Sequence, residues 1–439
     1  MYLIYGLQKS GLSILKFCMN NKLKFKIWDD NLHVRNDLKK KYNNNYFFNS
    51  NKNNLNDFDK IFVSPGISLR QKKFQKKNII KKLQRDLNLY KSYIKNQKII
   101  AVTGTNGKST TVKLIGDILN KNKIKTFVGG NIGDPLCNAF LLRKKSNFHV
   151  IELSSFQLET IKSLETKISI ITNLSSDHLD RYKDIRDYIN QKKKIISKNG
   201  INLFSLDDIY SRKIFNKIKI KNKISFSLFD KSADCYINEN YIQDNYFKKS
   251  KKLFIKNISK DLEGHFNNQN ILIAYICCKI LKLSENNFLE VIKSFKGLPF
   301  RSSIIFNNKR LKIVNNSKST NLNSTINSIK NYNNIYLILG GIAKEKNFEI
   351  ISKYKKNLSC VYTFGKSGFF IEKKLKKELI VKRSQNLKLV IKKVLKDIKQ
   401  NRNLSTILFA PACSSYDQYK DFEERGIHFN QLIKNNLHQ

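Results

Sequence analysis

Val102-Thr103-Gly104-Thr105-Asn106-Gly107-Lys108-Ser109-Thr110-Thr111 stands between an apolar run, Lys98 to Val102, and a segment of helical pattern from Thr111 to Asn120. A strand feeding a glycine-rich turn into a helix N-terminus aims unpaired backbone N–H groups and the positive end of the helix dipole at an anion. Lys108 adds a positive charge and Ser109 a hydroxyl suited to Mg2+. Gly104, Thr105, Asn106, Gly107, Lys108, Ser109 and Thr110 therefore read as a phosphate cradle for a nucleotide, which commits the surrounding chain to a parallel α/β sheet. The generic motif has a further glycine five residues before Gly107, where this chain has Val102. The alternative, a polar surface turn, does not account for the strand and helix patterns on either side.

The same alternation extends in both directions. Tyr2 to Tyr5 reads as a strand, followed by the turn Gly6-Leu7-Gln8-Lys9-Ser10-Gly11 and a helix through Leu12, Leu15, Phe17 and Met19. A second strand, Phe25 to Trp28, ends at Asp29-Asp30, the order of a dinucleotide-type fold in which an acid follows the second strand. A third strand, Lys60 to Val63, runs into Ser64-Pro65-Gly66 at the edge where open parallel sheets bind ligands. Ile67 to Asn96 is lysine-rich and helix-like, and the first boundary is placed near residue 90.

Beyond the cradle, strands are expected at Phe148 to Leu153, Ile168 to Thr172 and Ile201 to Leu206, then an antiparallel extension between Ile224 and Ile258, and a helix from Asn268 to Leu283. The pattern changes at Gly297-Leu298-Pro299. Strands at Lys312 to Val314, Ile335 to Leu339, Cys360 to Phe364 and Thr406 to Phe409 then form a third alternating region. The expectation is an α/β protein of three domains: a Rossmann-like N-terminal domain (1–90), a central P-loop ATPase domain (91–297) and a Rossmann-like C-terminal domain (298–439), in keeping with a length of 439 residues.

A formal charge of +49, from 83 Lys+Arg against 34 Asp+Glu, raises nucleic acid as a partner. The lysines are spread through every loop with asparagine and isoleucine and form no single basic face, so nucleic acid is not expected; a general positive field suits an anionic substrate. Seven cysteines, odd in number and without a C-x-x-C pair, indicate neither a disulfide framework nor a zinc site. No apolar run reaches the roughly 20 residues that span a bilayer. A cytoplasmic enzyme without stable membrane insertion is expected.

Two further segments carry chemistry. Glu152, at the end of an apolar strand and followed by Leu153-Ser154-Ser155-Phe156-Gln157-Leu158-Glu159, stands where a Mg2+-directed acid is found beside a phosphate cradle; a helix cap at Ser154 or Ser155 is compatible with that role. Asp177-His178-Leu179-Asp180 follows the next strand, which would place His178 beside Glu152, able to bind a metal or to donate to a phosphoryl oxygen.

Together, G-T-N-G-K-S-T at Gly104 to Thr110, G-N-I-G at Gly130 to Gly133, E-L-S-S-F-Q-L-E at Glu152 to Glu159 and D-H-L-D at Asp177 to Asp180 resemble the Mur ligases of peptidoglycan precursor synthesis. The resemblance extends to Ser317-Lys318-Ser319-Thr320-Asn321, to Gly340-Gly341 with Lys344, and to Ser414-Ser415-Tyr416-Asp417-Gln418 through Phe422 and Gly426. Within the family the resemblance is strongest to the D-glutamate-adding branch, and the D-N-P-R-type motif that the diaminopimelate- and lysine-adding members carry in the last domain is not found in the sequence.

The resemblance implies ATP-driven amide synthesis: ATP phosphorylates the alanyl carboxylate of UDP-N-acetylmuramoyl-L-alanine, the amine of D-glutamate attacks the acyl phosphate, and phosphate leaves. Lys108, His178 and two Mg2+ ions would offset the repulsion of anion attacking anion. By resemblance, Ser109 and Glu152 hold the first Mg2+, while His178 lies near the second together with a carbamylated lysine whose counterpart is Lys192, in the run Lys192-Lys193-Lys194. Asn270, Arg301 and Asn316 would meet the nucleotide; Ser10, Asp29, Gly66 and Asn131 the UDP-sugar; Lys318, Thr320, Lys344, Ser415 and Phe422 the D-glutamate region. A monomer is expected.

Three residues depart from the family pattern: Asn316 where an Asp is usual, Phe300 where a His precedes Arg301, and Gln8 in place of a first-loop glycine. They bear on affinity for nucleotide and uridine, not on the reaction class. A folylpolyglutamate-synthase-like ligase and a nucleic-acid-dependent P-loop ATPase are the competing readings.

Overall fold

The computed structural model describes residues 1–48, 54–142, 146–178, 181–247, 251–255, 257–399 and 404–437. Three sheets follow one another along the chain. β1 (Tyr2–Tyr5), β2 (Phe25–Trp28), β3 (Lys60–Val63) and β4 (Leu83–Gln84) form a parallel sheet in the order β2-β1-β3-β4. The second sheet has nine strands: β5 (Lys98–Thr103), β6 (Thr126–Gly130), β7 (Phe148–Glu152), β8 (Ile168–Ile171), β9 (Ile201–Ser205), β10 (Lys223–Ser227), β11 (Cys235–Asn238), β12 (Tyr241–Asp244) and β13 (Lys251–Phe254). Its order is β13-β12-β11-β10-β9-β8-β5-β7-β6.

The cradle strand β5 lies between β7 and β8, parallel to both, and so is covered on each side. Its residues Ile100, Ala101 and Val102 have no exposed surface, consistent with the continuous apolar run of a strand buried on both faces. The antiparallel extension is narrower than expected. β10 pairs in parallel with β9 and β11, and only β11-β12-β13 are antiparallel.

The third sheet comprises β14 (Ser303–Asn307), β15 (Leu311–Asn315), β16 (Ile335–Gly340), β17 (Leu358–Phe364), β18 (Val381–Arg383) and β19 (Ser405–Phe409), in the order β14-β15-β19-β16-β17-β18. All its pairs are parallel except β14 with β15.

The chain divides into two compact units. The first holds residues 1–176, 181–258 and 267–294, and therefore both of the first two sheets; the second holds residues 259–266 and 295–439 with a short segment containing Asp177 and His178. Within the first unit the two sheets share packing elements. The Asp86–Tyr93 helix puts Leu89 into the core of the four-stranded sheet and Leu87 and Tyr90 into that of the nine-stranded sheet. Cys137 and Phe140, from a short helical turn after β6, pack beside Phe17 in the first core, and Ser13 Oγ donates to Asn138 Oδ1 at 2.8 Å. The boundary read near residue 90 thus falls within a helix that serves both cores.

The stretch read as helix-like between Ile67 and Asn96 is broken into a 3-10 turn at Lys72–Phe74, a one-turn helix at Lys77–Ile80, strand β4 and the Asp86–Tyr93 helix. Leu83 is drawn into the sheet because its apolar side chain joins Ile61, Phe74 and Ile79 in one cluster. All seven cysteines are free and buried. Among the described residues no helix is long and apolar enough to cross a membrane.

Candidate active site

β5 runs straight into Gly104 and the loop closes at Gly107, both with positive φ (145° and 82°). At Gly104 a Cβ would come within 2.0 Å of Thr172 Oγ1, and at Gly107 within 2.6 Å of Asn270 Oδ1, so glycine is required at both on conformation and on space. Gly107 caps the Lys108–Lys121 helix without a side-chain hydrogen bond. The first N–H groups of that helix therefore point at the place an anion would take.

The next loop holds the cradle from outside. Thr105 N donates to Asn173 O (2.8 Å) and Asn106 N to Asn173 Oδ1 (2.9 Å), while Thr172 Oγ1 donates to Asn106 O (2.7 Å). Lys108 Nζ curls back onto Gly104 O (2.9 Å) and Thr105 O (2.7 Å). Asn270, on the His265–Ile280 helix, accepts from Thr111 Oγ1 at 3.0 Å and donates to Asn267 Oδ1 at 2.9 Å, which fixes it against Gly107. The structure thus brings the expected Asn270 to the cradle. Thr110 follows Ser109 in the first turn of the helix and is partly exposed.

Glu152 ends β7 and is 1% exposed. Its carboxylate accepts from Ser109 Oγ and, at 2.8 Å, from Asn131 Nδ2. Asn131 is oriented by its own N–H, which donates to Glu152 O at 2.9 Å. A carboxylate and a hydroxyl held together at the mouth of a phosphate cradle are hard oxygen donors of the kind Mg2+ takes, so these residues fit that ion. Among the described residues no group of three or more His, Cys, Asp and Glu gathers as a metal cage. Ser154 forms a capping box with Gln157, so the cap and the acid coexist in one segment.

Of the three consecutive lysines, only Lys192 is buried, at 2% exposure. Its helix, Ile185–Lys193, turns Tyr188, Ile189 and Lys192 inward. Lys192 Nζ donates to Gly104 O at 2.7 Å and to Thr103 Oγ1 at 3.3 Å, and lies 4.7 Å from the centre of the Tyr188 ring. Lys194 turns instead to the carbonyls of Leu158 and Glu159.

In the four-stranded sheet, Asp29 spends its carboxylate on main chain: Oδ2 accepts from Leu7 N (2.6 Å) and Oδ1 from Asn31 N (2.9 Å). It braces the first loop. Ser10 is hydrogen-bonded to the fully buried Asp86, whose carboxyl burial pushes up despite bonds from Gln157 and Leu87 N. Gly66 has open space where a Cβ would be.

The second unit gathers a different set at the carboxyl ends of its strands. Arg425, fully buried, donates to Ser317 O (2.7 Å) and Cys413 O (3.0 Å), and its Nη1 lies 3.4 Å from Gly340 O. One guanidinium thus joins the loops after β15, β16 and β19. Burial lowers it to about 10, leaving it charged at neutral pH. Around this hub lie Lys318, whose Nζ sits 4.0 Å from the centre of the Phe422 ring, the half-buried Thr320, and Ser415, whose carbonyl accepts from Tyr419 N at 2.9 Å.

Lys344 Nζ is 3.9 Å from Asp177 Oδ1, and Asn321 Nδ2 donates to Asp177 Oδ2 at 3.3 Å. His178, with φ 56°, sits beside Asp177. His178 and Asp177 belong to the second unit with Asn321 and Lys344, and Glu152 to the first; Leu179 and Asp180 lie outside the described residues. Asn316 donates to Ser328 Oγ at 2.7 Å, and Arg301 is in the half-exposed loop before β14, both in the second unit.

Known families meet this architecture in both sheets of the first unit. Residues 102–278 match the Mur ligase middle domain, and residues 1–81 the Mur ligase MurD-like N-terminal domain. The UDP-N-acetylmuramoylalanine--D-glutamate ligase of Rickettsia prowazekii (strain Madrid E) is 35% identical over 437 residues, 98% of this chain and 97% of that protein. The chain belongs to the Mur ligase family. The enzyme of the same name from Buchnera aphidicola subsp. Acyrthosiphon pisum (strain Tuc7) is also 35% identical, over 98% of this chain and 97% of its own length. Among solved structures, UDP-N-acetylmuramate-alanine ligase MurC of Thermotoga maritima superposes with a TM-score of 0.63 at 16% identity, covering 99% of each chain. MurF ligase of the same organism, in complex with ADP, gives 0.62 at 17% identity, covering 99% of this chain and 95% of that one. These two establish the shared three-domain Mur ligase fold.

In this Mur ligase three arginines escaped the reading of the sequence: Arg85, Arg181 and Arg425. Each works by holding backbone carbonyls, and a carbonyl leaves no mark in a residue pattern. Glu159 stands in the sequence only as the last residue of the E-L-S-S-F-Q-L-E motif, yet it binds both Arg85 and Arg181.

Proposed function

We propose that this Mur ligase is an ATP-dependent, ADP-forming ligase that joins D-glutamate to UDP-N-acetylmuramoyl-L-alanine, working in the cytoplasm as a monomer. The observation that carries the reading is the full-length likeness to D-glutamate ligases together with an intact cradle in which Lys108, Ser109, Glu152 and Lys192 converge. We assign residues 1–90 to the UDP-sugar, 91–297 to ATP and 298–439 to the amino acid.

In the first unit, the cradle N–H groups and Lys108 receive the phosphates of ATP, with Asn270 shaping the wall at Gly107. Arg301 and Asn316 are assigned to the nucleotide from the second unit. Asn131, Ser10 and Gly66 are assigned to the sugar nucleotide, with Asp29 keeping the first loop in shape. Ser109 and Glu152 would hold the first Mg2+, and a carbamylated Lys192, with His178 nearby, the second; the metals would supply positive charge against the phosphates. Carbamylation would turn a buried cation into an anionic oxygen donor.

The reaction then runs in two displacements. The alanyl carboxylate attacks the γ-phosphorus and ADP leaves; the D-glutamate amine attacks the acyl carbon, and phosphate leaves as the amide forms. The protein contributes chiefly position and charge, because each attack brings like charges together or spreads charge over phosphoryl oxygens. In the second unit Lys344 offers a cation to a D-glutamate carboxylate, and Thr320, Ser415, Lys318 and Phe422 bound the same loop ends.

The experiment is direct. Purified protein with Mg2+, ATP and UDP-N-acetylmuramoyl-L-alanine should release ADP only when D-glutamate is added. Release with L-glutamate instead, or none at all, overturns the proposal.

A further inference from the structure

Arg85 precedes the Asp86–Tyr93 helix with no part of its side chain exposed. Its Nη1 donates to Val63 O (2.9 Å) and Ser64 O (2.7 Å), and its Nη2 to Ile67 O (3.1 Å) and to the Glu159 carboxylate. Arg181 reaches the same turn from the central domain, with Nη1 to Gly66 O at 3.3 Å and Nη2 to Ile67 O at 2.9 Å, and also touches Glu159 Oε2 at 3.4 Å. Four carbonyls of one turn are thus gripped by two guanidinium groups that share one carboxylate.

Burying a guanidinium is expensive: desolvation lowers Arg85 below its usual range, and Glu159 offsets that cost only in part. An apolar side chain would fill the space at lower cost. What an arginine provides instead is a rigid fork of donors that fixes the position of each carbonyl it meets. The gripped turn, Ser64 to Ile67, lies at the ligand edge of the four-stranded sheet, and the far side of Gly66 is open.

The carboxylate at the other end of the grip is equally well placed. Glu159 closes the Ser155–Leu158 helix, whose start is fixed by a capping box between Gln157 and Ser154, two residues beyond Glu152. Its second oxygen accepts from Tyr182 OH at 3.3 Å, and its carbonyl accepts from Lys194 Nζ at 2.8 Å. The Ser64–Ile67 turn is therefore tied through Arg85 to Glu159, and the short covalent segment from Glu159 back to Glu152, with the capping box inside it, leads on to Ser109.

We propose that Arg85, acting through Glu159, is a positioning residue for the sugar nucleotide, setting the Ser64–Ile67 turn at a fixed place relative to the phosphate cradle; the inference rests on the assignment of Gly66 to the UDP-sugar. Its loss lets the turn drift without altering any group that touches ATP.

The test uses the full chain with Arg85→Met and Arg85→Lys, with calorimetric binding of UDP-N-acetylmuramoyl-L-alanine and of MgATP measured on the same samples, and the KM of each substrate alongside. Arg85→Met should weaken the sugar nucleotide by about tenfold or more, with Arg85→Lys between it and the unaltered chain, while MgATP affinity stays within about twofold. Unchanged affinity for both ligands overturns the proposal. So does an equal loss of both in the two variants, which would make Arg85 a general fold residue. If the unaltered chain itself binds no sugar nucleotide, the assignment of Gly66 fails instead, and that outcome is visible before any variant is made.

Discussion

Lys192 Nζ donates to the carbonyl oxygen of Gly104 at 2.7 Å, and the same helix also touches the cradle at Tyr188, 83 positions beyond Thr105 (188 − 105), whose Oγ1 lies 3.2 Å from the Tyr188 hydroxyl. The only buried member of the lysine triplet is the one at the phosphate-binding loop. Lys192→Ala should lower kcat by about a hundredfold or more, while Lys193→Ala, on the exposed face, should leave it within about twofold. Equal effects would remove Lys192 from the reaction. If the carbamyl group is present, millimolar formate should restore part of the Lys192→Ala activity by supplying the missing oxygen donor, read as D-glutamate-dependent ADP release.

Gly107→Ala should weaken ATP through geometry alone. The new Cβ meets Asn270 Oδ1 at 2.6 Å in a backbone with φ 82°, and Asn270 is tied at both ends by Thr111 and Asn267. A left-handed alanine costs about 1–2 kcal/mol, so urea denaturation should register a loss of that order together with a raised KM for ATP. A variant as stable and as tight as the parent would show that the loop relaxes freely.

Arg425→Met removes the donor shared by the loops after β15, β16 and β19. The carbonyls of Ser317 and Cys413 are left buried without it, at about 1–3 kcal/mol each. The expected result is a loss of several kcal/mol in stability and, at a temperature where the variant is folded, a raised KM for D-glutamate with little change for ATP. Arg425→Lys should recover only part of either.

Stability should fall on mild acidification for a reason located at His149. Burial holds this imidazole down at about 4 from the usual 6.5, and it pairs with Tyr90 OH at 2.8 Å. Between those values the unfolded chain binds the proton and the folded one does not, so stability contributed by neutral His149 is complete above 6.5 and is lost as pH drops toward 4. Urea midpoints at pH 7 and pH 5 should differ less in His149→Gln than in the parent. An identical pH dependence would place the acid sensitivity elsewhere.

How far the sequence foretold this differs from site to site, and the difference has a physical basis. The cradle was readable because a buried strand, two glycines and a helix start leave local marks. Glu152 was readable because it ends an apolar strand. Lys192 is named by resemblance alone, since three consecutive lysines carry no local mark of which one turns inward; the helix that buries Tyr188 and Ile189 buries Lys192 one turn later and leaves Lys193 exposed. The stretch before the cradle was read as helical from its composition, and the two-residue strand β4 within it exists only through partners brought from elsewhere. β6, whose sequence Thr126 to Gly130 ends in two glycines, passed unnoticed for the same reason. Asp177 shows the opposite limit: its place after strand β8 carries no mark of Asn321 and Lys344, residues more than a hundred positions further along that meet its carboxylate.

The seven buried thiols provide an intrinsic clock for this protein. Cys18 and Cys137 sit in the core of the four-stranded sheet; Cys360 and Cys413 lie in the cores of the six-stranded one. Burial pushes the Cys18 and Cys413 thiols up to about 12 and Cys278 to about 11, so the intact fold withholds thiolate from alkylating reagents. Each cysteine reacts only when its own region opens, and the rates of native-state labelling rank the opening of the domains against one another. Ligands then become distinguishable by which clock they slow: a sugar nucleotide should retard Cys18 and Cys137, and D-glutamate Cys413, with no probe introduced into the chain.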